Sequence, residues 1–208
     1  MRDLCRLFFF SVAFVLSGCL GHSPREGGMA IYDLGSPRIT LRPERIPLAA
    51  LEVQAAPWLD TPALLYRLRY LDDFRRHQYA GSRWAAPPAE LIERFLQREI
   101  LFAQSEGEAA GCRLSLALDE FEQRFETQEI SDLVLEARAV LLAPRGERLL
   151  AKQAFQIRRP AVTPDAVGGV AAARAATEDL VAGLDKWLAE LAQTRPPLVA
   201  ACKRLDRK

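Results

Sequence analysis

The sequence predicts an α+β fold, namely a two-layer sandwich in which two amphipathic helices cover one face of a mostly antiparallel sheet of five to six strands. Two observations support this prediction. Apolar and polar residues alternate in several segments, as in strands with one buried face, whereas two other segments follow a helical period. The order of strands, helix, three strands and helix allows both helices to pack on the same sheet.

Three short strands are predicted ahead of the first helix. They cover residues 30–34, residues 48–55 and the ALLYRLRYL segment at residues 63–71. The last of these places Leu64, Tyr66, Leu68 and Tyr70 on one side, which is the alternation typical of a strand.

The first helix is predicted over residues 87–103. Its apolar side chains recur on one helical face, and Pro87 and Pro88 stand at its start, where a missing N–H costs nothing. Glu90 lies in the first turn and Arg98 lies later, an order that suits the helix dipole.

Three long strands follow and indicate an antiparallel meander with one wet face, over about residues 113–126, 133–142 and 149–158. In the first, Leu118 and Phe121 fall on opposite sides of a regular strand. A bulge near Asp119 would bring both to the same side.

The last helix is predicted over residues 165–193, with Thr163 as N-cap and Pro164 at the first helical position. Residues 195–208 are basic and interrupted by proline. We expect them to form a mobile tail unless Cys202 ties them down.

The amino terminus has the pattern of a lipoprotein signal peptide. Arg2 and Arg6 precede an uncharged run over residues 7–16, which is too short to span a bilayer. The run ends in four residues that resemble the bacterial lipobox: Leu16, Ser17, Gly18 and Cys19.

This pattern divides the chain into four parts. Residues 1–18 are the predicted signal peptide, and residues 19–29 are a lipidated tether rich in glycine. Cys19 would carry a covalent diacylglycerol and an N-acyl chain, since two or more acyl chains hold a protein stably on a membrane. Residues 30–194 form the domain, and residues 195–208 form the tail.

Composition and motifs argue against several classes of function. The net charge is only +1, which gives no basic surface for nucleic acid. With two histidines and no phosphate-binding loop, the sequence predicts no metal site, no cofactor and no enzyme. The carboxylate pairs Asp72–Asp73 and Glu120 with Glu122 are interpreted as solvated, and a hydrolase that uses Glu120 or Asp72 is the least favoured hypothesis.

Cys112 and Cys202 remain once the leader and the anchor are assigned. An exported chain meets an oxidising compartment, so the two could form a disulfide. One buried thiol and one thiol on a loose tail is an equally open alternative, because geometry decides.

Aromatic residues concentrate between Trp58 and Trp84. Core packing is the favoured interpretation for Tyr66 and Tyr70. The two tryptophans lie beside prolines or loops, so for them a surface for a partner or a lipid stays open.

Behind the lipobox the sequence carries, in this order, Tyr32-Asp33-Leu34, Trp58-Leu59-Asp60 before Tyr66-Arg67, Tyr79, Arg83-Trp84 and Phe121-Glu122. Together these motifs resemble the ABC-type transport auxiliary lipoprotein family. The resemblance covers roughly residues 31–190. With the aromatic cluster, it gives a candidate partner or lipid surface made of Trp58, Asp60, Tyr79 and Trp84.

The resemblance implies a role in lipid transport. Members of the family are outer-membrane lipoproteins of Gram-negative bacteria, which face the periplasm and accompany an ABC permease, its ATPase and an MCE-domain protein. The chain is therefore expected to be a docking subunit on the inner leaflet of the outer membrane, with an MCE-domain protein as partner. The alternative is a periplasmic carrier that holds an acyl chain between sheet and helices.

Overall fold

The computed structural model describes residues 28–36, 46–100, 111–144 and 148–203. The predicted signal peptide, the lipobox with Cys19 and most of the tether lie outside these residues. Within them, the chain forms one mixed sheet of seven strands and three α-helices, so the predicted α+β class is confirmed.

The strands and helices are numbered in chain order. The strands are β1 (Ala30–Tyr32), β2 (Leu48–Ala55), β3 (Ala63–Leu68), β4 (Arg76–Trp84), β5 (Cys112–Phe125), β6 (Ser131–Leu142) and β7 (Leu149–Pro160). The helices are α1 (Pro88–Ile100), α2 (Ala166–Thr194) and α3 (Pro196–Lys203).

The sheet is mixed, whereas the sequence predicted a mostly antiparallel one. The strand order is β1-β4-β3-β5-β6-β7, and β2 also pairs with β5. β2 and β3 follow one another along the same edge of β5, joined through the single 3₁₀ turn Pro57–Leu59, so both run parallel to it. β1 is also parallel to its neighbour β4. The long pairings β5·β6 and β6·β7 are antiparallel, as the predicted meander requires.

A strand that the sequence did not predict, β4, raises the count from six to seven. It pairs with β3 as an antiparallel hairpin, in which Tyr66 lies opposite His77 and Arg67 lies opposite Arg76. Its sequence, RHQYAGSRW, has few aliphatic side chains, and this explains why alternation did not reveal it.

The predicted bulge in β5 is confirmed by a register shift between Leu118 and Glu120. It places Leu118 and Phe121 on the same face of the sheet, opposite Ala137 and Leu135 of β6. We call this the covered face, because α2 and α3 pack on it. The opposite side is the open face.

α2 covers β6 and β7, and its first turn shows a different cap from the predicted one. Asp165, not Thr163, is the N-cap, and its carboxylate accepts the Gly168 N–H at 2.8 Å. The Thr163 hydroxyl instead donates to that carboxylate. α1 packs beside β2, where the Glu93 carboxylate accepts the backbone N–H of Val53. No helix within the described residues is both long enough and apolar enough to cross a membrane.

The expectation of a mobile tail is wrong for its first part. α3 packs on α2 and β5 with Leu198 and Cys202 buried, whereas residues 204–208 lie outside the described residues. This result follows the exception made for Cys202, because that residue is disulfide-bonded to Cys112 at the start of β5.

Candidate functional site

A network of five charged side chains occupies the open face, where β3 and β4 lie beside β5. Its centre is Glu122, which is fully buried. Arg67, Arg76 and Arg124 each place a guanidinium nitrogen within 3.3 Å of a Glu122 carboxylate oxygen. Glu120 completes the network through two contacts of 3.0 Å with Arg76.

Strand register brings these side chains together. Arg67 of β3 is the partner of both Arg76 on β4 and Arg124 on β5, so three cations lie in a row across three strands. Like charges on neighbouring strands repel one another. The carboxylates of Glu120 and Glu122 lie between the arginines and offset this repulsion. The network as a whole keeps a net charge of +1.

The interpretation of Glu120 and Glu122 as a solvated pair is wrong for Glu122, which has no exposed surface. An ionised carboxylate leaves water only when other charges and hydrogen bonds compensate it, and here three guanidinium groups do so. With both oxygens engaged and out of reach of solvent, Glu122 is not placed to act as a general acid or base.

Trp58 lies at the edge of this network on an exposed turn. The turn is fixed by Leu59, which is buried, whereas the Trp58 side chain is 53% exposed. The Arg76 guanidinium lies 5.8 Å from the centre of the indole ring, within the range of a cation–π interaction. Asp60 ends the same turn and is also exposed. Of the four residues predicted as a partner surface, Trp58 and Asp60 are therefore adjacent and accessible.

Tyr79, the third predicted surface residue, lies on the covered face. Its ring packs 4.6 Å from that of Tyr66, and its hydroxyl donates to Gln123 at 3.0 Å. Burial raises the pKa of Tyr79, and Tyr66 and the Asp165 carboxylate act in the same direction. Tyr79 therefore stays protonated and does not share a surface with Trp58.

Trp84, the fourth predicted surface residue, is a core residue. It therefore does not form part of a surface for a partner or a lipid. Its side chain is buried at the end of β4, with its ring centre 5.7 Å from that of Phe121. The neighbouring prolines mark the start of α1 and not an exposed loop.

Cys112 and Cys202 form a disulfide that joins the start of β5 to α3, with both residues fully buried. The bond closes a segment of 90 residues. It thus attaches the end of the chain to the sheet, at the end of β5 that is remote from its turn into β6.

The second carboxylate pair also has local partners. The Asp72 carboxylate accepts the backbone N–H of Phe74 at 2.9 Å. Asp73 pairs with Arg69 at 2.8 Å, and this hydrogen bond lowers the pKa of Asp73. Both carboxylates therefore serve to shape the β3–β4 connection.

A cleft of about 570 Å³ lies between α1 and the segment after β1. Its lining combines apolar side chains, Leu91 and Phe95 among them, with the basic Arg94 and Arg98 and the acidic Asp33. The space between helices and sheet, where the sequence-based alternative placed an acyl chain, is instead occupied by buried apolar side chains of both layers.

Comparisons with known proteins agree with this architecture. The model of the family described as "ABC-type transport auxiliary lipoprotein component" matches residues 34–194. The chain belongs to this family. The resemblance drawn from its motifs is thereby confirmed.

Solved structures show the same fold. A crystal structure of a Xanthomonas campestris protein of family DUF330 superposes with a TM-score of 0.67 at 23% identity, covering 81% of this chain and 99% of that one. A second, described as an uncharacterized protein, gives a TM-score of 0.60 at 13% identity and covers 77% of this chain and 99% of that one. No curated protein sequence matches this auxiliary lipoprotein.

Proposed function

We propose that this auxiliary lipoprotein is a docking subunit of an ABC-type lipid transport system. It is held on the periplasmic face of the outer membrane by lipid on Cys19, and it binds an MCE-domain protein. The family match over residues 34–194 is the observation that carries the proposal. The sequence around Cys19, which has the features of a lipobox, supports the anchor.

The open face is where we expect the partner to bind. Trp58 exposes about half of a large aromatic side chain, and tryptophan and arginine are enriched among residues that dominate binding energy. The carboxylates of Glu120 and of the buried Glu122 hold Arg76 in place, so the indole ring rests on a rigid base. A rigid aromatic anchor loses little conformational entropy when a partner covers it.

Co-purification tests the docking function. The full chain is used to capture the MCE-domain protein of the same cell, and Trp58→Ala is compared with Leu149→Ala. Leu149 is a matched control, because it is also about half exposed (54%) but lies in β7, away from the network. We expect Trp58→Ala to weaken capture by roughly tenfold or more, as for a typical hot-spot residue, and Leu149→Ala to have no effect. Failure of the unaltered chain to capture that protein would refute the docking function, whereas equal capture by both variants would refute the assignment of Trp58.

Membrane fractionation tests the anchor separately. Replacing Cys19 with alanine removes the lipid site, so the variant should leave the outer-membrane fraction. If Cys19→Ala fractionates with outer membranes as the unaltered chain does, lipid on Cys19 is not what localises the protein.

The cleft beside α1 favours a second candidate, a lipid carrier. Apolar side chains next to Arg94 and Arg98 suit a ligand with an acyl chain and an anionic headgroup. Native mass spectrometry of the purified protein distinguishes the two functions. A co-purified phospholipid that is lost in Arg94→Ala supports the carrier, and a protein mass without ligand contradicts it.

A further inference from the structure

Three chain connections meet at one end of the sheet. Phe125 at the end of β5 is paired with Leu68 at the end of β3 and with Ser131 at the start of β6, whereas Pro160 at the end of β7 faces Asp132. The β3–β4, β5–β6 and β7–α2 connections therefore lie side by side. We call this end of the molecule the loop end.

Each connection of the loop end presents a bulky apolar side chain to solvent. The exposed fractions are 71% for Leu71, 93% for Phe74, 60% for Ile130 and 92% for Val162. Single exposed apolar residues are ordinary in soluble proteins. Four of them on three adjacent connections indicate an interaction site, because grouped exposed apolar side chains mark such sites.

The turns that carry these side chains are fixed by hydrogen bonds. Asp72 accepts the Phe74 N–H, and the Thr127 hydroxyl oxygen accepts the Ile130 N–H at 3.1 Å. Arg69 connects two of the turns by pairing with Asp73 at 2.8 Å and with Glu126 at 2.5 Å. The backbone that carries Phe74 and Ile130 is thus fixed before any ligand binds.

We propose that the loop end inserts its four apolar side chains into the surface of the bilayer that holds Cys19. Because they stand on three different connections, a protein partner would need to complement each connection, whereas a bilayer accommodates them without complementary pockets. Amphipathic segments that lie in a membrane surface bury their apolar side chains about 5–10 Å deep. The inference rests on the proposed lipid anchor.

The direction and position of β1 support a lipid surface as the ligand. β1 starts with Ala30 beside Ser82 and runs parallel to β4, so the chain reaches the sheet from the side of the loop end. Ser82 lies six residues beyond Arg76, the first residue of β4, and at about 3.3 Å per residue this is roughly 20 Å. The chain makes eleven residue steps from Cys19 to Ala30, and these span at most about 36–40 Å. The anchor can therefore lie in a bilayer that touches the loop end.

Site-specific fluorescence tests this orientation. The full, lipidated chain is prepared as Phe74→Cys and Val162→Cys, labelled with an environment-sensitive fluorophore, and reconstituted in vesicles of phosphatidylcholine and phosphatidylethanolamine that carry quencher-labelled lipids. Leu149→Cys is the control, since Leu149 is exposed at the opposite end of β7. We expect quenching of roughly half the signal at positions 74 and 162, because both would lie at acyl-chain depth, and none at 149.

Other outcomes overturn the inference in distinguishable ways. Probes at 74 and 162 that resemble the one at 149 would exclude membrane contact. Protection from an aqueous quencher without quenching by lipid would assign the loop end to a protein, such as a second copy of the chain. The intact mass of the same sample shows whether Cys19 carries lipid. An unlipidated chain refutes the proposed anchor as well. A lipidated chain with unquenched probes refutes only the orientation. Ile130→Cys serves in place of any labelled variant that fails to fold.

Discussion

Glu122→Gln should destabilise the domain strongly, although it changes one atom. The carboxylate is fully buried among Arg67, Arg76 and Arg124, so the amide leaves three cations with only Glu120 to compensate them. Removing one partner from a buried ion pair costs about 3–5 kcal/mol. The three arginine side chains retain 14–22% exposure, and partial hydration favours the lower limit, about 3 kcal/mol.

Urea unfolding followed by circular dichroism measures this loss, with the disulfide kept oxidised. For a domain of this size about 3 kcal/mol corresponds to a fall in Tm of roughly 6–12 °C. Glu126→Gln is the matched control, because it makes the same chemical change in an exposed ion pair, for which little effect is expected. If Glu122→Gln is no less stable than Glu126→Gln, the network does not hold a charged carboxylate at its centre and the reasoning fails.

Three further predictions concern α2, the disulfide and the two tryptophans. Asp165→Ala should cost about 1 kcal/mol. The pKa of Asp165 is lowered mainly by the Gly168 N–H. The stability difference between the two proteins is therefore present above about pH 4 and disappears as the pH falls through the lowered pKa. Urea unfolding at several pH values measures this difference. Cys202→Ser should lower the free energy of unfolding by about 4 kcal/mol and expose α3 to hydrogen exchange. Trp84→Ala should cost about 3–5 kcal/mol in thermal melts, whereas Trp58→Ala should leave Tm almost unchanged.

Local periodicity was sufficient for elements with a strong apolar stripe. The meander, the bulge at Asp119 and the helix over residues 166–194 could all be predicted, because one face of each is buried in a continuous core. β4 could not, since its sequence has few aliphatic side chains and its pairing with β3 is set by the hairpin. The parallel pairings of β2 and β3 depend on the path of the chain around the 3₁₀ turn, which no periodicity encodes.

The charge network shows a different limit. Glu122 alternates with Phe121 as a residue of a wet face would, so its position in β5 predicts a solvent-exposed side chain. It is buried because Arg67 and Arg76, which belong to two other strands, pair with it. The RR pair before His77 and the acidic pair in β5 were visible signals, but their connection requires the register of three strands.

The two proposals together determine how the domain stands relative to the membrane. The loop end lies at the carboxyl end of β5, and the disulfide lies at its amino end, so contact with the bilayer points the disulfide-bonded end toward the periplasm. Trp58 follows β2, whose last residue Ala55 pairs with Leu118 in the middle of β5. The docking surface would then face in a direction parallel to the membrane plane. A partner would contact the side of the domain and not the end that lies farthest from the membrane.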